Sequence, residues 1–142
     1  MAEEYLDILA GGEWITGHSG EIFEDRNPAD RDDLIAVFAR GDSVDINEAV
    51  EAAKRAYPGW MQTPAPARAD YVRKVGLMLE QRKEELAVLM SREMGKTLKE
   101  SRADIQEGID FAVFMAGEGR RMYGVTTKSE LPNKFSMTIR HP

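Results

Sequence analysis

From Asp45 to Gly124 the apolar residues return at three- and four-residue steps, with punctuation at Pro58-Gly59, Pro64, Pro66 and Gly95, so helix dominates the chain. Asp45-Ile46-Asn47-Glu48 has capping-box spacing and predicts a first helix with Ile46, Ala49, Val50, Ala53, Tyr57 and Trp60 on one face, ended by Pro58-Gly59. After the loop Thr63-Pro64-Ala65-Pro66, one long second helix is expected from about Ala67. It carries Val72, Val75, Leu79, Leu86, Met90 and Met94 on its buried face and stops at Gly95. Thr97-Leu98-Lys99-Glu100 is a second capping box, opening a third helix with the stripe Ile105, Ile109, Ala112, Ala116, Gly119 and Tyr123. Arg120 and Arg121 suit its negative end, and Gly124 is its expected cap. Gly108, Gly117 and Gly119 each cost about 1 kcal/mol against alanine in a helix, so close packing against another element should offset them.

The strands come first and are meagre. Apolar runs between Ile8 and Ile15 flank Gly11-Gly12, the pair that a tight hairpin turn requires. A strand from Glu21 to Arg26 stops at Asn27-Pro28-Ala29-Asp30, and the chain returns through Leu34 to Ala39. Three or four such strands bury too little apolar area to stand alone. Near the end, Lys134 to Arg140 alternates Phe135, Met137 and Ile139 against polar residues, the pattern of a half-buried strand with no partner following it.

Composition removes several classes of function. The 142 residues are 42% hydrophobic and 31% charged, which suits a folded segment rather than a disordered tail. Nineteen basic residues are dispersed among 25 acidic ones for a net charge of −6, which disfavours nucleic acid and anionic membranes. No run approaches a membrane helix and the start is acidic, so the expected compartment is the cytoplasm. Zero cysteines exclude disulfides, thiolate metal sites and thiol catalysis within these residues.

The motifs that could carry chemistry mostly reduce to architecture. Gly95-Lys96-Thr97 ends like a phosphate loop, but the glycine required five residues earlier is Met90, and a helix rather than a strand precedes it. Gly117-Glu118-Gly119 opens like a dinucleotide fingerprint, but Met122 replaces the third glycine. His18 and His141 lack neighbours at ligand spacing, so no metal site or catalytic base is assigned. Glu84, Glu85, Glu100 and Asp104 read as solvated helix faces. Met78, Met90, Met94, Met115 and Met122 read as core filler. Glu107 stands out, in the third helix beside the stripe that must pack.

The succession of segments resembles the amino-terminal part of the NAD(P)-dependent aldehyde dehydrogenase superfamily. It runs through Gly11-Gly12-Glu13-Trp14, Asn27-Pro28-Ala29-Asp30, Glu48-Ala49-Val50-Glu51-Ala52-Ala53 with Trp60, Glu93-Met94-Gly95-Lys96, Met115-Ala116-Gly117 and Arg140-His141-Pro142. The resemblance implies an α/β fold of the aldehyde dehydrogenase type, of which this segment is an incomplete α+β portion. That portion comprises a small amino-terminal hairpin and strand region, three main helices, and a carboxy-terminal strand of the oligomerisation excursion. Residues 1–124 would form the first part of the dinucleotide-binding domain and residues 125–142 the start of the oligomerisation strands, with the catalytic domain absent.

In such enzymes a cysteine thiolate attacks the aldehyde, hydride passes to NAD or NADP, and a glutamate activates water to release the acid. Those groups lie downstream of the matched region, so no catalytic, cofactor-binding or metal residue is transferred, and no cofactor is expected on this chain alone. The resemblance also implies a small-molecule aldehyde substrate, a homo-oligomer built through the strand near Phe135 to Arg140, and a substrate tunnel to which Glu107 contributes. Glu93 falls near a monovalent-cation site of some relatives, too weak a likeness to assign. The reading is therefore an inactive amino-terminal fragment of an aldehyde-oxidising enzyme. The alternative is a stand-alone helical interaction module without enzymatic activity.

Overall fold

The computed structural model describes residues 5–141. Five short strands come first: β1 (Tyr5–Leu6), β2 (Ile8–Ala10), β3 (Glu13–Ile15), β4 (Ile22–Arg26) and β5 (Leu34–Ala39). β2 and β3 form the expected hairpin, and Gly11 and Gly12 both take positive φ, 63° and 88°, as its two-residue turn demands. β5 is the centre of a three-stranded sheet, antiparallel to β4 on one side and parallel to β1 on the other. Phe23 stacks on Phe38 across that sheet with ring centroids 5.4 Å apart.

Four helices follow: α1 (Ser43–Gln62), α2 (Ala65–Gln81), α3 (Lys83–Met94) and α4 (Leu98–Glu118). This corrects the expectation of three. The single long second helix is two, broken at Arg82, whose backbone leaves the helical region at φ −105° and ψ 14°. Both α2 and α3 lie along α4. Gly76 of α2 meets Ala112, while Arg102 of α4 binds Glu84 of α3 at 2.8 Å.

The first helix also starts and ends elsewhere than expected. Its cap is Asp42, whose side chain accepts from the amides of Val44 and Asp45, and Asp45 closes the capping box as the third helical residue. It then runs through Pro58-Gly59 to Gln62. Pro58 has no N–H to give the carbonyl four residues back, so it costs the helix one hydrogen bond without ending it. Trp60 beyond it is held against Tyr71 of α2, with centroids 5.8 Å apart. α2 begins at Ala65, with Pro66 tolerated in its first turn.

Thr97 and Glu100 form the expected capping box of α4, and Gly95 ends α3 in the left-handed conformation, φ 66°. α4 stops at Glu118, so Gly124 is not its cap and Tyr123 lies outside the helix, exposed. A Cβ on Gly124 would lie 2.2 Å from the Thr138 carbonyl oxygen, so this glycine serves the terminal hairpin instead. Of the three helix glycines, only Gly119 shows the expected close packing. A Cβ there would fall 2.2 Å from Ala69 Cβ, whereas Gly108 faces open space and Gly117 meets only the Arg121 side chain.

Two more strands, β6 (Thr126–Lys128) and β7 (Phe135–Met137), pair antiparallel. The final strand therefore does have a partner, which precedes it rather than follows it. A backbone bond from Thr138 N to Val125 O (2.9 Å) extends the ladder, and the Arg140 side chain donates from Nε to the Tyr123 carbonyl at 3.1 Å.

The fold buries very little. Among the described residues the buried apolar side chains are Ala36, Val37, Ala39, Ala87, Ile109 and Ala112, most of them alanine. The expected apolar faces are largely bare: Ile46, Val50, Tyr57 and Trp60 on α1, Val72 and Val75 on α2, Met94 on α3. Met78, Met94, Met115 and Met122 are exposed as well, which corrects their reading as core filler. A self-sufficient protein of 15.9 kDa exposes roughly 7,400 Å², and this chain exposes 11027 Å².

Candidate functional site

α4 packs against both α2 and α3, so it is the first element on which a site could be built. Its capping box fixes the start, with Thr97 Oγ1 2.7 Å from a Glu100 carboxylate oxygen. Ser101, Ile109 and Ala112 are buried against α2 and α3. Glu107 sits on the opposite side, exposed, with Phe111 and Phe114 one and two turns further along the same face. Its neighbour Gln106 is engaged with Lys83 at 2.7 Å and Asp110 at 2.9 Å, which pins that stretch of α4 to α3.

A second constellation joins segments far apart in sequence. Arg92 on α3 grips the Asp33 carboxylate with two guanidinium nitrogens, at 2.6 and 3.0 Å, and also reaches the Leu34 carbonyl at 3.3 Å. Asn27 donates to the same carboxylate at 3.1 Å. The hydrogen bonds from Arg92 and then Asn27 hold the Asp33 pKa down at about 2, from an ordinary 3.8. Beside this clasp, a Cβ on Gly95 would lie 2.8 Å from Pro28 Cγ, so the Asn27-Pro28-Ala29-Asp30 turn rests directly on the helix break. An open cleft of about 350 Å³ lies here, lined by Ser91, Arg92, Lys96 and Leu98 among others. Sequence reasoning missed the clasp, since nothing local ties Asp33 to a residue 59 positions away.

The rejected motifs find structural roles. Lys96 forms an ion pair with Asp104, and Ser91 Oγ donates to the Lys96 carbonyl at 2.6 Å, so Gly95-Lys96-Thr97 is a stop and restart between helices. Glu118-Gly119 ends α4 against α2. His18 lies in the loop before β4, where its backbone amide donates to Asp45 at 3.1 Å. Asp45 is only 3% exposed and its pKa is lowered, first by the Asp42 amide. His141 is exposed at the end of the described chain. Among the described residues no three His, Cys, Asp or Glu side chains gather to hold a metal, and no helix is long and apolar enough to cross a membrane.

The turn from β5 into α1 does not suit the pyrophosphate of a nicotinamide dinucleotide. β5 leads through Arg40-Gly41 into α1, a strand, turn and helix start that could face a phosphate. However, the carboxylates of Asp42 and Asp45 already accept from the amides there, and their negative charge repels a pyrophosphate.

The sequence profile of the aldehyde dehydrogenase family matches residues 14–142. The chain is 35% identical over 138 residues to the alpha-ketoglutaric semialdehyde dehydrogenase of Bacillus subtilis, covering 97% of this chain and 28% of that one. It is 34% identical to the NADP(+) succinate-semialdehyde dehydrogenase of Escherichia coli, covering 94% and 28%. Among solved structures, an NAD-dependent benzaldehyde dehydrogenase from Corynebacterium glutamicum superposes with a TM-score of 0.81 at 30% identity, covering 89% of this chain and 28% of that one. The chain thus spans between a quarter and a third of the length of these relatives.

Proposed function

Because the chain belongs to the aldehyde dehydrogenase family, we propose that it supplies the amino-terminal part of an enzyme that oxidises an aldehyde or semialdehyde to a carboxylic acid, with NAD or NADP as hydride acceptor. The observation that carries this reading is the match across residues 14–142 to a segment that makes up 28% of the relatives. The bare helix faces are what such a segment leaves for the rest of the enzyme to cover. In this proposal residues 1–124 open the dinucleotide-binding domain and residues 125–142 begin the oligomerisation strands, in a cytoplasmic homo-oligomer assembled through Phe135 to Arg140. The exposed faces of the β6–β7 ribbon support that last point, since two strands alone are marginal in water.

With no cysteine, the chain cannot supply the thiolate and is expected to be inactive alone. The test is a chimera in which these 142 residues replace the matching segment of a family enzyme. The chimera should form NAD(P)H from an aldehyde, while the purified chain alone should form none. A folded but inactive chimera contradicts the reading.

Within this reading Glu107 is the substrate-tunnel residue of the chain. A carboxylate flanked by Phe111 and Phe114 disfavours anionic aldehydes and accepts polar or cationic ones. Glu107→Ala in the chimera should raise kcat/KM for an anionic semialdehyde relative to a neutral aldehyde by about tenfold, equivalent to about 1.4 kcal/mol. An unchanged ratio removes Glu107 from the tunnel.

A further inference from the structure

α4 carries Arg102, Asp104, Glu107 and Asp110 on its exposed surface, and three of the four have partners. Arg102 binds Glu84 of α3 at 2.8 Å, and Asp104 pairs with Lys96. Asp110 accepts from the Gln106 amide nitrogen at 2.9 Å, while the Gln106 carbonyl oxygen accepts from Lys83 of α3 at 2.7 Å. Glu107 has no hydrogen bond or ion pair among the described residues.

The direction of the Lys83–Gln106–Asp110 relay is fixed by chemistry. An ammonium only donates and an ionised carboxylate only accepts, so the amide between them lies one way alone, carbonyl toward Lys83 and NH2 toward Asp110. Gln106 thereby ties the Asp110 carboxylate to a cation on another helix. Asp110 stands three positions after Glu107 and four after Gln106, so it neighbours both on the helix surface. Released from Gln106, its carboxylate is free to turn to the Glu107 side and set a second negative charge beside the first.

We infer that Gln106 is a positioning residue for substrate charge: acting through Asp110, it leaves Glu107 as the one uncompensated carboxylate on this part of α4. The inference rests on the place of Glu107 in the proposed substrate tunnel. Its sign follows from Coulomb's law. Two carboxylates side by side repel an anionic aldehyde more strongly than one, and a neutral aldehyde of the same length feels little of either.

The experiment uses the chimera and reads the ratio of kcat/KM for an anionic semialdehyde to that for a neutral aldehyde of equal length. Gln106→Leu removes both hydrogen bonds, and the ratio should fall at least threefold. Lys83→Met should lower it in the same direction. In an Asp110→Asn background, Gln106→Leu should leave the ratio where it stands. A pin that merely holds α4 to α3 would affect both substrates alike and leave the ratio unmoved. An unmoved ratio in either single variant, or a shift that persists with Asn at position 110, overturns the inference. Glu107→Ala, assayed alongside, keeps the two ideas apart. A ratio that answers to Glu107→Ala but not to Gln106→Leu sinks the relay alone, whereas an inactive chimera or a ratio indifferent to Glu107→Ala sinks the tunnel reading and the relay with it.

Discussion

Gly108 lies within α4 and Gly119 caps its end, yet substitution should act in opposite directions at the two positions. A Cβ on Gly119 collides with Ala69 Cβ and comes within 2.9 Å of the Ala65 carbonyl oxygen, both parts of α2 that cannot move independently. Gly119→Ala in the chimera should therefore cost about 1 to 3 kcal/mol, read as faster amide exchange along α4. Gly108 has nothing within 4 Å of its would-be Cβ. Gly108→Ala should slow exchange there, gaining about 0.5 to 1 kcal/mol from the restricted unfolded chain. Equal effects at both positions would contradict the packing described for α2 and α4. The Asp33 clasp makes a separate prediction. A depressed carboxylate pKa stabilises the fold above its ordinary value of 3.8, and that contribution is lost as pH falls through about 2. An NMR titration of the chimera should find Asp33 near 2 and, in Arg92→Ala, closer to 3.8; a value of 3.8 without the substitution would mean that the clasp does not form.

At the scale of elements, caps were the most legible feature. The Thr97 to Glu100 box and the Gly95 stop are local patterns, and both stand where the spacing puts them. Thr97→Ala should accordingly loosen the first turns of α4 by about 1 kcal/mol, measured as faster exchange of the Glu100 and Ser101 amides, while exchange around Ala112 stays as it was. Uniform change along the helix would mean that the cap is not a local device. The Asp45 box was misread because Asp42 and Asp45 have the same spacing one turn earlier, and only the three-dimensional setting of Asp45, shared between the Asp42 and His18 amides, decides between them. The break at Arg82 was invisible to periodicity. An apolar stripe continues across a one-residue break as readily as along an unbroken helix, and both helices pack on the same long-range partner, α4. The pairing of β7 with β6 escaped for a related reason: Thr126 to Lys128 is polar and carries no apolar alternation.

For the whole molecule, the sequence announced a family and a succession of elements, while the structure adds how little of the chain covers itself. The apolar stripes are where periodicity puts them, but on α1 and α2 they face solvent, since a pattern says that a face is to be buried and not by what. Glu107 illustrates the same limit: its place on the bare side of α4 is visible, and the substrate-tunnel role belongs to the proposed reading, not to any contact within these 142 residues. A fold left so uncovered should not behave as an independent domain. The direct measurement is thermal unfolding of the purified 142-residue chain, followed by near-UV circular dichroism with an apolar dye present. A broad transition without a cooperative step, with dye bound from the lowest temperature, is the predicted result. A sharp two-state transition in a monodisperse, dye-free monomer would contradict it, and would make the chain a self-sufficient helical module instead.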